Sequence, residues 1–158
     1  MKNKMLLIIG TIVVLFVALV FVVNYKNKQA VDSHDNPYGK ENLHQATIDQ
    51  LDDPNYGNQI LPDELAEKLE NGEDITVYYY DPTCPHCLEM TPVLVPLAKD
   101  MGVDVKKFNL LEFDNDSIKS TPTLVHYEDG EEVARLEGSK PEEEIRDFFN
   151  QYVLEDET

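Results

Sequence analysis

The feature that most constrains this chain is a stretch of 19 consecutive uncharged residues at positions 5–23, nearly all of them apolar. As an α-helix rising 1.5 Å per residue, it would measure about 28 Å, close to the thickness of a bilayer's hydrocarbon core. A helix inside a soluble domain would show a polar face, which this stretch lacks. A cleaved signal peptide would have an apolar region of about 7–15 residues ending near small residues, and no such cleavage pattern follows. We therefore predict an uncleaved transmembrane anchor at residues 5–23.

The charges around this stretch give little information about its orientation. Lys2 and Lys4 precede it, and Lys26 and Lys28 follow it, so the positive-inside count is nearly balanced. The α-amino group tips the count slightly towards a short cytoplasmic N-terminus at residues 1–4. We therefore expect a single-pass protein of the cell membrane with the rest of the chain on the extracytoplasmic side. The cysteine chemistry described below strengthens that expectation.

Charge and cysteine content exclude several function classes. The 158 residues include 31 acidic and 13 basic side chains, for a formal net charge of −18. Binding to nucleic acid requires clustered Lys and Arg, and the sequence has no such cluster, so we expect no nucleic-acid partner. Two cysteines are too few for a disulfide-stapled small fold or a four-cysteine zinc site, but they can form one redox pair.

After the anchor, the sequence divides into a linker, one domain and a tail. Residues 24–56 are polar and rich in turn-forming residues, with a few apolar side chains that could form a short helix against the domain. We predict a partly ordered linker here. Residues 57–153 have regular hydrophobic patterning and form the predicted domain, and residues 154–158 form an acidic tail.

The pattern of residues 57–153 predicts an α/β domain. The predicted order of elements is β-α-β-α-β-(α)-β-β-α, if Asn58–Ile60 is a short first strand. The early βαβ units give parallel strands, and the Asp-Gly pair at 129–130 predicts a hairpin that adds antiparallel ones. Ser139 and Glu142 have the spacing of a capping box at the start of the last helix. The predicted fold is a mixed central sheet with helices on both faces.

The sequence Cys84-Pro85-His86-Cys87 carries the chemistry, because it lies between a predicted buried strand and a predicted helix. The N-terminus of a helix has a partial positive charge and free N–H groups, which stabilise a thiolate placed there. The spacing on a helical turn brings the two sulfurs within bonding distance. We predict that Cys84 is the exposed attacking thiol and that Cys87 is the more buried resolving thiol.

The two residues between the cysteines tune the redox pair. The imidazole of His86 can donate a hydrogen bond to the Cys84 thiolate or carry a positive charge near it. Stabilising the thiolate stabilises the reduced form, which makes the disulfide more oxidising. The reduction potentials of such pairs range from about −270 to about −120 mV, and this difference corresponds to a free-energy difference of roughly 7 kcal/mol for a two-electron reaction. Pro85 and His86 can therefore decide whether the protein donates or removes disulfides.

Other readings of these four residues are weaker. A zinc site needs a fourth ligand, and the remaining histidines (His34, His44 and His126) lie in unrelated contexts. Haem attachment requires a histidine directly after the second cysteine, where this chain has Leu88. An inert structural disulfide could also have this spacing. We expect no metal and no cofactor.

On these features the chain resembles the thioredoxin family over residues 57–153. The resemblance rests on the Cys-Pro-His-Cys motif at the strand–helix junction, on Pro92 five residues after Cys87, and on Thr121-Pro122 at the start of the next strand. The hairpin at Asp129-Gly130 and a glycine before the last helix also match. The resemblance implies a cis peptide bond before Pro122. It also implies that Thr121 offers its backbone to an extended substrate segment beside Cys84.

The chain departs from the family pattern at two informative positions. Reducing thioredoxins usually have a buried aspartate six residues before the first cysteine, which accepts the proton of the buried thiol, and this chain has Tyr78 there. Lys107 corresponds to the lysine that the family places nearby. The Cys-Pro-His-Cys tetrapeptide is similar to that of the DsbA oxidases, which insert a helical subdomain before the cis-proline. Only 34 residues separate Cys87 from Pro122, so the body resembles thioredoxin and only the motif resembles an oxidase.

We therefore predict a membrane-anchored thiol–disulfide oxidoreductase that acts on protein cysteines through a Cys84–Cys87 disulfide, with disulfide formation as the favoured direction. Its partners would be protein thiols or disulfides and a redox protein that resets the pair. Two alternatives remain open. One is a thiol–disulfide reductase, for example in cytochrome c maturation. The other is a redox-inactive accessory protein for peptide export.

Overall fold

The computed structural model describes residues 2–33 and 36–154. His34 and most of the predicted acidic tail lie outside these residues. The helices and strands follow in this order: α1 (Lys2–Ser33), α2 (Gln45–Ile48), a 3₁₀ turn (Pro54–Tyr56), α3 (Pro62–Glu70), β1 (Ile75–Tyr80), α4 (Pro85–Met101), β2 (Val105–Asn109), β3 (Thr123–Glu128), β4 (Glu131–Glu137) and α5 (Glu142–Tyr152).

The four strands form one mixed sheet in the order β2-β1-β3-β4. Strand β1 runs parallel to β2 and antiparallel to β3, and β3 is antiparallel to β4. The predicted first strand at Asn58–Ile60 is reduced to a single parallel bridge between Gln59 and Lys107. The 3₁₀ turn ends at Tyr56 and α3 begins at Pro62, so the pairing with β2 is confined to the five-residue connection between them.

The sheet is buried on both faces, and β1 shows why. Its side chains alternate, as they must on a pleated strand. Tyr78 and Tyr80 pack with residues of α4 and α5 on one face. Val77 and Tyr79 pack with Leu65 of α3 on the other. The predicted mixed sheet with helices on both faces is therefore confirmed.

The last two connections are a hairpin that was predicted correctly and a helix start that was not. Asp129 and Gly130 have φ angles of +50° and +78°, the positive values that a two-residue type I′ turn requires. The capping box predicted at Ser139 and Glu142 is wrong, because the N-cap residue is Pro141. A proline disfavours the helical conformation in the residue before it, so α5 cannot begin earlier.

Helix α1 is longer than the predicted anchor. Residues 4–32 are long and apolar enough to cross a membrane, and none of the most apolar part is buried against the domain. By length and composition, such a helix equally fits an N-terminal signal sequence. Beyond residue 23 the helix continues to Ser33, where the sequence predicted a partly ordered linker. Val31 near its end is buried in a small cluster with side chains of residues 38–48.

Candidate active site

The loop between β1 and α4 places the cysteine motif at the carboxyl edge of the sheet. Asp81 fixes this loop, because its carboxylate accepts hydrogen bonds from the backbone N–H and the hydroxyl of Thr83, both at 2.7 Å. Its carbonyl accepts from the N–H of Cys84 at 3.0 Å. Cys84 is the N-cap residue of α4, and Pro85 is the first residue of that helix, a position that suits proline because no backbone N–H is needed there.

The two cysteines differ in exposure. Both are thiols, with Cys84 partly exposed and Cys87 fully buried. The N–H groups of Cys87 and Leu88 both point back at the carbonyl of Cys84 at 3.1 Å, which closes the first turn of α4. The sequence predicted this division, with Cys84 accessible to another molecule and Cys87 behind it.

The surroundings of Cys84 favour its thiolate. Partial burial alone would raise the pKa of the Cys84 thiol. Hydrogen bonds from the side chain of Thr121 and from the backbone N–H groups of Cys87 and His86 outweigh this effect, and the pKa lies below its ordinary value. These N–H groups belong to the first turn of α4, so the positive end of the helix faces the sulfur.

Cys87 has the opposite environment. Burial raises the pKa of its thiol to about 12, although a backbone hydrogen bond from Asp81 opposes the rise. A thiol with this pKa keeps its proton at neutral pH. The redox pair therefore consists of one thiol that ionises readily and one that does not.

Behind Cys87 lies a pair of hydroxyl groups, from Tyr78 and Thr91. Of these two residues, the sequence singled out only Tyr78. The Thr91 hydroxyl donates to the carbonyl of Cys87 at 2.7 Å and lies 3.1 Å from the hydroxyl of Tyr78. Because the single Thr91 proton goes to the carbonyl, Tyr78 donates to Thr91. Both side chains are fully buried. Thr91 could have been found from the sequence, since it lies four residues after Cys87 and therefore on the same face of the helix.

Tyr78 occupies the position of the family's buried aspartate. Burial raises the pKa of its hydroxyl far above the ordinary value, so the group is neutral at every physiological pH. A neutral phenol that already donates its proton to Thr91 cannot serve as the base that a carboxylate would be.

Pro85 and His86, the predicted tuning residues, lie at the start of α4. The imidazole of His86 is exposed, with Nδ1 3.7 Å from the carboxylate of Glu89. The backbone N–H of His86, rather than its ring, hydrogen-bonds the Cys84 sulfur. Two of the other histidines lie elsewhere. The backbone of His44 contacts Glu112, and the ring of His126 lies against the hydroxyl of Thr76 in the sheet.

The Thr121–Pro122 bond lies beside Cys84. It is a cis peptide bond, and the Cys84 sulfur lies 3.5 Å from the Thr121 carbonyl oxygen. The Pro122 carbonyl is held by the N–H of Gly138 at 2.8 Å. The structure thus brings together the two halves of the predicted site, which are separated by 34 residues in the sequence.

Lys107 pairs with Tyr78 across β1 and β2, as its expected position requires. Its ammonium group is buried and donates to the Gly57 carbonyl at 2.8 Å. Burial lowers its pKa to about 8, although the nearby Asp104 carboxylate opposes the shift.

Comparisons with known proteins agree with this geometry. The thioredoxin family model matches residues 58–151. Thioredoxin from Chlamydia pneumoniae is 31% identical over 84 residues, which cover 50% of this chain and 82% of the relative. Thioredoxin from Bacillus subtilis is 30% identical over 84 residues, with 48% and 78% covered.

The solved structures extend the similarity to the fold. The structure of a mutant thioredoxin from Halobacterium salinarum superposes with a TM-score of 0.50 and 25% identity, covering 60% of this chain and 87% of that one. The family model, which spans more than half of the chain, agrees with the mixed sheet and with the paired cysteines at the strand–helix junction. This chain belongs to the thioredoxin family of thiol–disulfide oxidoreductases.

Proposed function

We propose that this protein is an extracytoplasmic, membrane-anchored oxidoreductase that forms disulfides in other proteins, with Cys84 as the attacked and attacking sulfur and Cys87 as its redox partner. The observation that carries the proposal is the contrast between the two thiols. Cys84 is partly exposed at the N-terminus of α4 with a lowered pKa, whereas Cys87 is buried with a raised one. Such a pair reacts with other molecules at one sulfur only.

The reaction is a thiol–disulfide exchange in two steps. A substrate thiolate attacks Cys84 of the Cys84–Cys87 disulfide, a mixed disulfide forms, and Cys87 leaves as a thiolate that takes up a proton. A second substrate thiolate then attacks the substrate sulfur of the mixed disulfide, and Cys84 leaves as a thiolate. The substrate loses two electrons and gains a disulfide, and the enzyme becomes a dithiol. The hydrogen bonds to the Cys84 sulfur stabilise it as the leaving group of the second step.

The lowered pKa of Cys84 favours this direction, because stabilising the Cys84 thiolate stabilises the reduced enzyme and makes its disulfide more oxidising. A reductase must release its substrate by attack of Cys87 on the mixed disulfide, and that attack needs the Cys87 thiolate. With a pKa near 12 and the neutral Tyr78 hydroxyl where the family has a carboxylate, this thiolate is scarce at neutral pH. In the oxidising direction Cys87 is the leaving group of the first step, where its high pKa also slows the exchange, so the direction depends on the Cys84 thiolate.

The second candidate function is a thiol–disulfide reductase. It is favoured by the short connection between Cys87 and Pro122, which leaves no room for the subdomain of the DsbA oxidases, and by relatives that are named thioredoxins. The choice between the two directions depends on how strongly the Cys84 thiolate is stabilised.

The substrate would be an extended segment of a protein. The Thr121 carbonyl lies next to the Cys84 sulfur, and an edge of backbone at this position can pair with an extended chain. Leu88 follows the motif and is 48% exposed, so it offers an apolar contact to a bound segment.

Two measurements test the proposal on the full chain in detergent. Oxidation of a reduced protein substrate should be lost in Cys84→Ser. Normal turnover by that variant would contradict the mechanism. Equilibration of the Cys84–Cys87 pair with glutathione and dithiothreitol buffers gives its reduction potential, which shows whether the protein oxidises or reduces its substrates. A potential near −120 mV supports an oxidase and one near −270 mV a reductase, on the scale of known pairs that spans about 150 mV.

A further inference from the structure

We propose that the active-site edge of the domain faces the membrane surface, and that its redox partner is an integral membrane protein whose cysteines lie at that surface. This inference rests on the proposed function, because it takes α1 as the anchor and Cys84–Cys87 as the redox pair. It is carried by the way residues 36–51, here called the docking segment, connect the end of α1 to the ends of β1 and β2.

The docking segment is attached to the carboxyl ends of the two parallel strands. The hydroxyl of Tyr38 lies 3.2 Å from the hydroxyl of Tyr80. The amide of Asn109 reaches both Tyr38 and Thr47 at 3.3 Å. Tyr80 and Asn109 are the last residues of β1 and β2 and are partners in the sheet. All four side chains are buried, so the contact is part of the folded domain.

A buried carboxylate fixes the docking segment in place. The side chain of Glu112 is 2% exposed. It accepts a hydrogen bond from the backbone N–H of His44 at 2.8 Å and lies 3.4 Å from the ammonium group of Lys40. The same ammonium group lies 4.3 Å from the centre of the Phe113 ring. A buried charge is strongly destabilising without its partners. If the docking segment left this edge, Glu112 would be exposed to solvent or would stay buried without its partners.

Helix α1 is seated on the docking segment. The side-chain amide of Asn27 donates to the Leu43 carbonyl at 2.8 Å, and Val31 is 3% exposed. Asn27 lies four residues past the apolar run, or about 6 Å along the helix. The polar headgroup layer on each side of a bilayer is about as thick as this distance, so the docking segment lies at the level of the headgroups. Lys26 and Lys28 flank the contact, and lysine side chains near the end of a membrane helix extend to the polar interface.

Cys84 lies at the edge where the docking segment is attached. It follows Tyr80 by four residues, which span at most about 14 Å. The Asp129-Gly130 hairpin lies at the other end of the sheet, because β3 ends beside the start of β1. A six-residue strand separates the two ends by about 20 Å. The end of the sheet nearest the membrane is therefore the one that carries the redox pair.

This arrangement favours partner cysteines that lie at a bilayer surface. The exchange that resets the pair is the reverse of the one written above. The Cys84 thiolate attacks a partner disulfide and one partner sulfur leaves as a thiolate, then the Cys87 thiolate attacks Cys84 in the mixed disulfide and the second partner sulfur leaves. Two electrons pass to the partner, which gains two thiols, and the Cys84–Cys87 disulfide forms again. A partner far from the bilayer could meet Cys84 only from the side, whereas a membrane-embedded partner presents its cysteines to this edge directly.

Distance measurements on the full chain in phosphatidylcholine–phosphatidylglycerol vesicles test the orientation. Cys87→Ala leaves Cys84 as the single site for a donor dye, and acceptor dyes are placed on lipid headgroups. The matched probe has Cys84→Ser, Cys87→Ala and Glu131→Cys, since Glu131 is exposed at the hairpin end. We expect the dye on Cys84 to lie closer to the headgroups, by up to about 20 Å. Equal distances, or a shorter one from position 131, would overturn the orientation.

Two further variants link the orientation to docking. Val31→Asp places a charge in the buried contact and should abolish the difference between the two probes. Gln29→Asp changes an exposed residue of the same helix and should preserve the difference. A difference that survives Val31→Asp unchanged would show that docking does not set the orientation. A chain that fails to co-float with the vesicles would overturn the anchoring on which the proposal depends, whatever the activity of the redox pair in detergent.

Discussion

The hydroxyl of Tyr78 donates to Thr91 at 3.1 Å, and Thr91 in turn donates to the carbonyl of Cys87 at 2.7 Å. The buried thiol therefore lies against two hydroxyl groups whose protons are already used. Reducing thioredoxins usually have a carboxylate at the position of Tyr78, where it accepts the proton of this thiol. Replacing that base by a hydroxyl pair keeps the interior neutral and leaves Cys87 without a carboxylate base at this position.

Tyr78→Phe should therefore have little effect on chemistry and a measurable effect on stability. It removes one buried hydrogen bond, which costs about 1 kcal/mol, and leaves the packing of the ring in place. Resolution of a glutathione mixed disulfide at Cys84, followed by stopped flow, should change by less than about threefold, equivalent to roughly 0.6 kcal/mol. A tenfold slower resolution would show that the Tyr78 hydroxyl takes part in the proton transfer. Thr91→Val, which removes the other hydroxyl, is the matched comparison.

The two thiols should titrate in separate ranges of pH. In Cys87→Ala, the rate of Cys84 alkylation by iodoacetamide should rise through a pKa below that of a free cysteine, because hydrogen bonds to the sulfur outweigh its partial burial. In Cys84→Ala, alkylation of Cys87 should stay slow until the pH approaches 12, since burial holds its pKa there. The same apparent pKa in both variants would contradict the assigned roles.

The pH dependence of stability should show the lowered pKa of Lys107. Its folded pKa is about 8, against an ordinary value of 10.5. Between these values the unfolded chain binds more protons than the folded one, so this group makes the folded state more stable as the pH rises. Lys107→Met, which lacks the buried charge, should be more stable than the wild type at pH 7. The difference in free energy of unfolding between the variant and the wild type, measured in urea, should shrink by on the order of 2–3 kcal/mol between pH 7 and pH 10.5. A difference independent of pH would contradict the lowered pKa.

The hairpin turn should tolerate no side chain at Gly130. Its φ angle is +78°, and a Cβ atom there would lie 2.0 Å from the backbone carbonyl oxygen of Leu69. Gly102 has a similar φ of +75° but open space around it. Gly102→Ala should lower the free energy of unfolding by about 1–2 kcal/mol, because alanine disfavours the left-handed conformation. Gly130→Ala should lower it clearly more, because the backbone must also shift. Equal losses in thermal unfolding would mean that the contact with α3 relaxes freely.

The parts of this molecule that the sequence predicted are those with local signals. The Asp129-Gly130 turn, the buried strand β1 and the cysteine motif before α4 each depend on residues within a short window. The capping box at Ser139 failed because a proline two residues later dictates the helix start. The steric rule for proline is local too, so this error was avoidable.

The parts that the sequence did not predict depend on contacts between distant residues. Residues 36–51 are too polar for a hydrophobic pattern, and their order comes from the contact of Tyr38 with Tyr80 and from the buried Glu112. Neither could be foreseen without the fold. The neutral environment of Cys87 was half predicted, since the absence of a carboxylate at position 78 is visible in the sequence. The role of Thr91 becomes clear only with the side-chain geometry.

The most direct test of the central claim is to trap the mixed disulfide. The claim is that substrates bond to Cys84 and that Cys87 is the partner of Cys84 in the enzyme's own disulfide. Cys87→Ala and Cys84→Ala are each incubated with an oxidised protein substrate after reduction of their remaining thiol, and the products are separated on a non-reducing gel. The account predicts a stable adduct, sensitive to dithiothreitol, with Cys87→Ala and none with Cys84→Ala. Adducts of equal yield with both variants, or an adduct with Cys84→Ala alone, would contradict it.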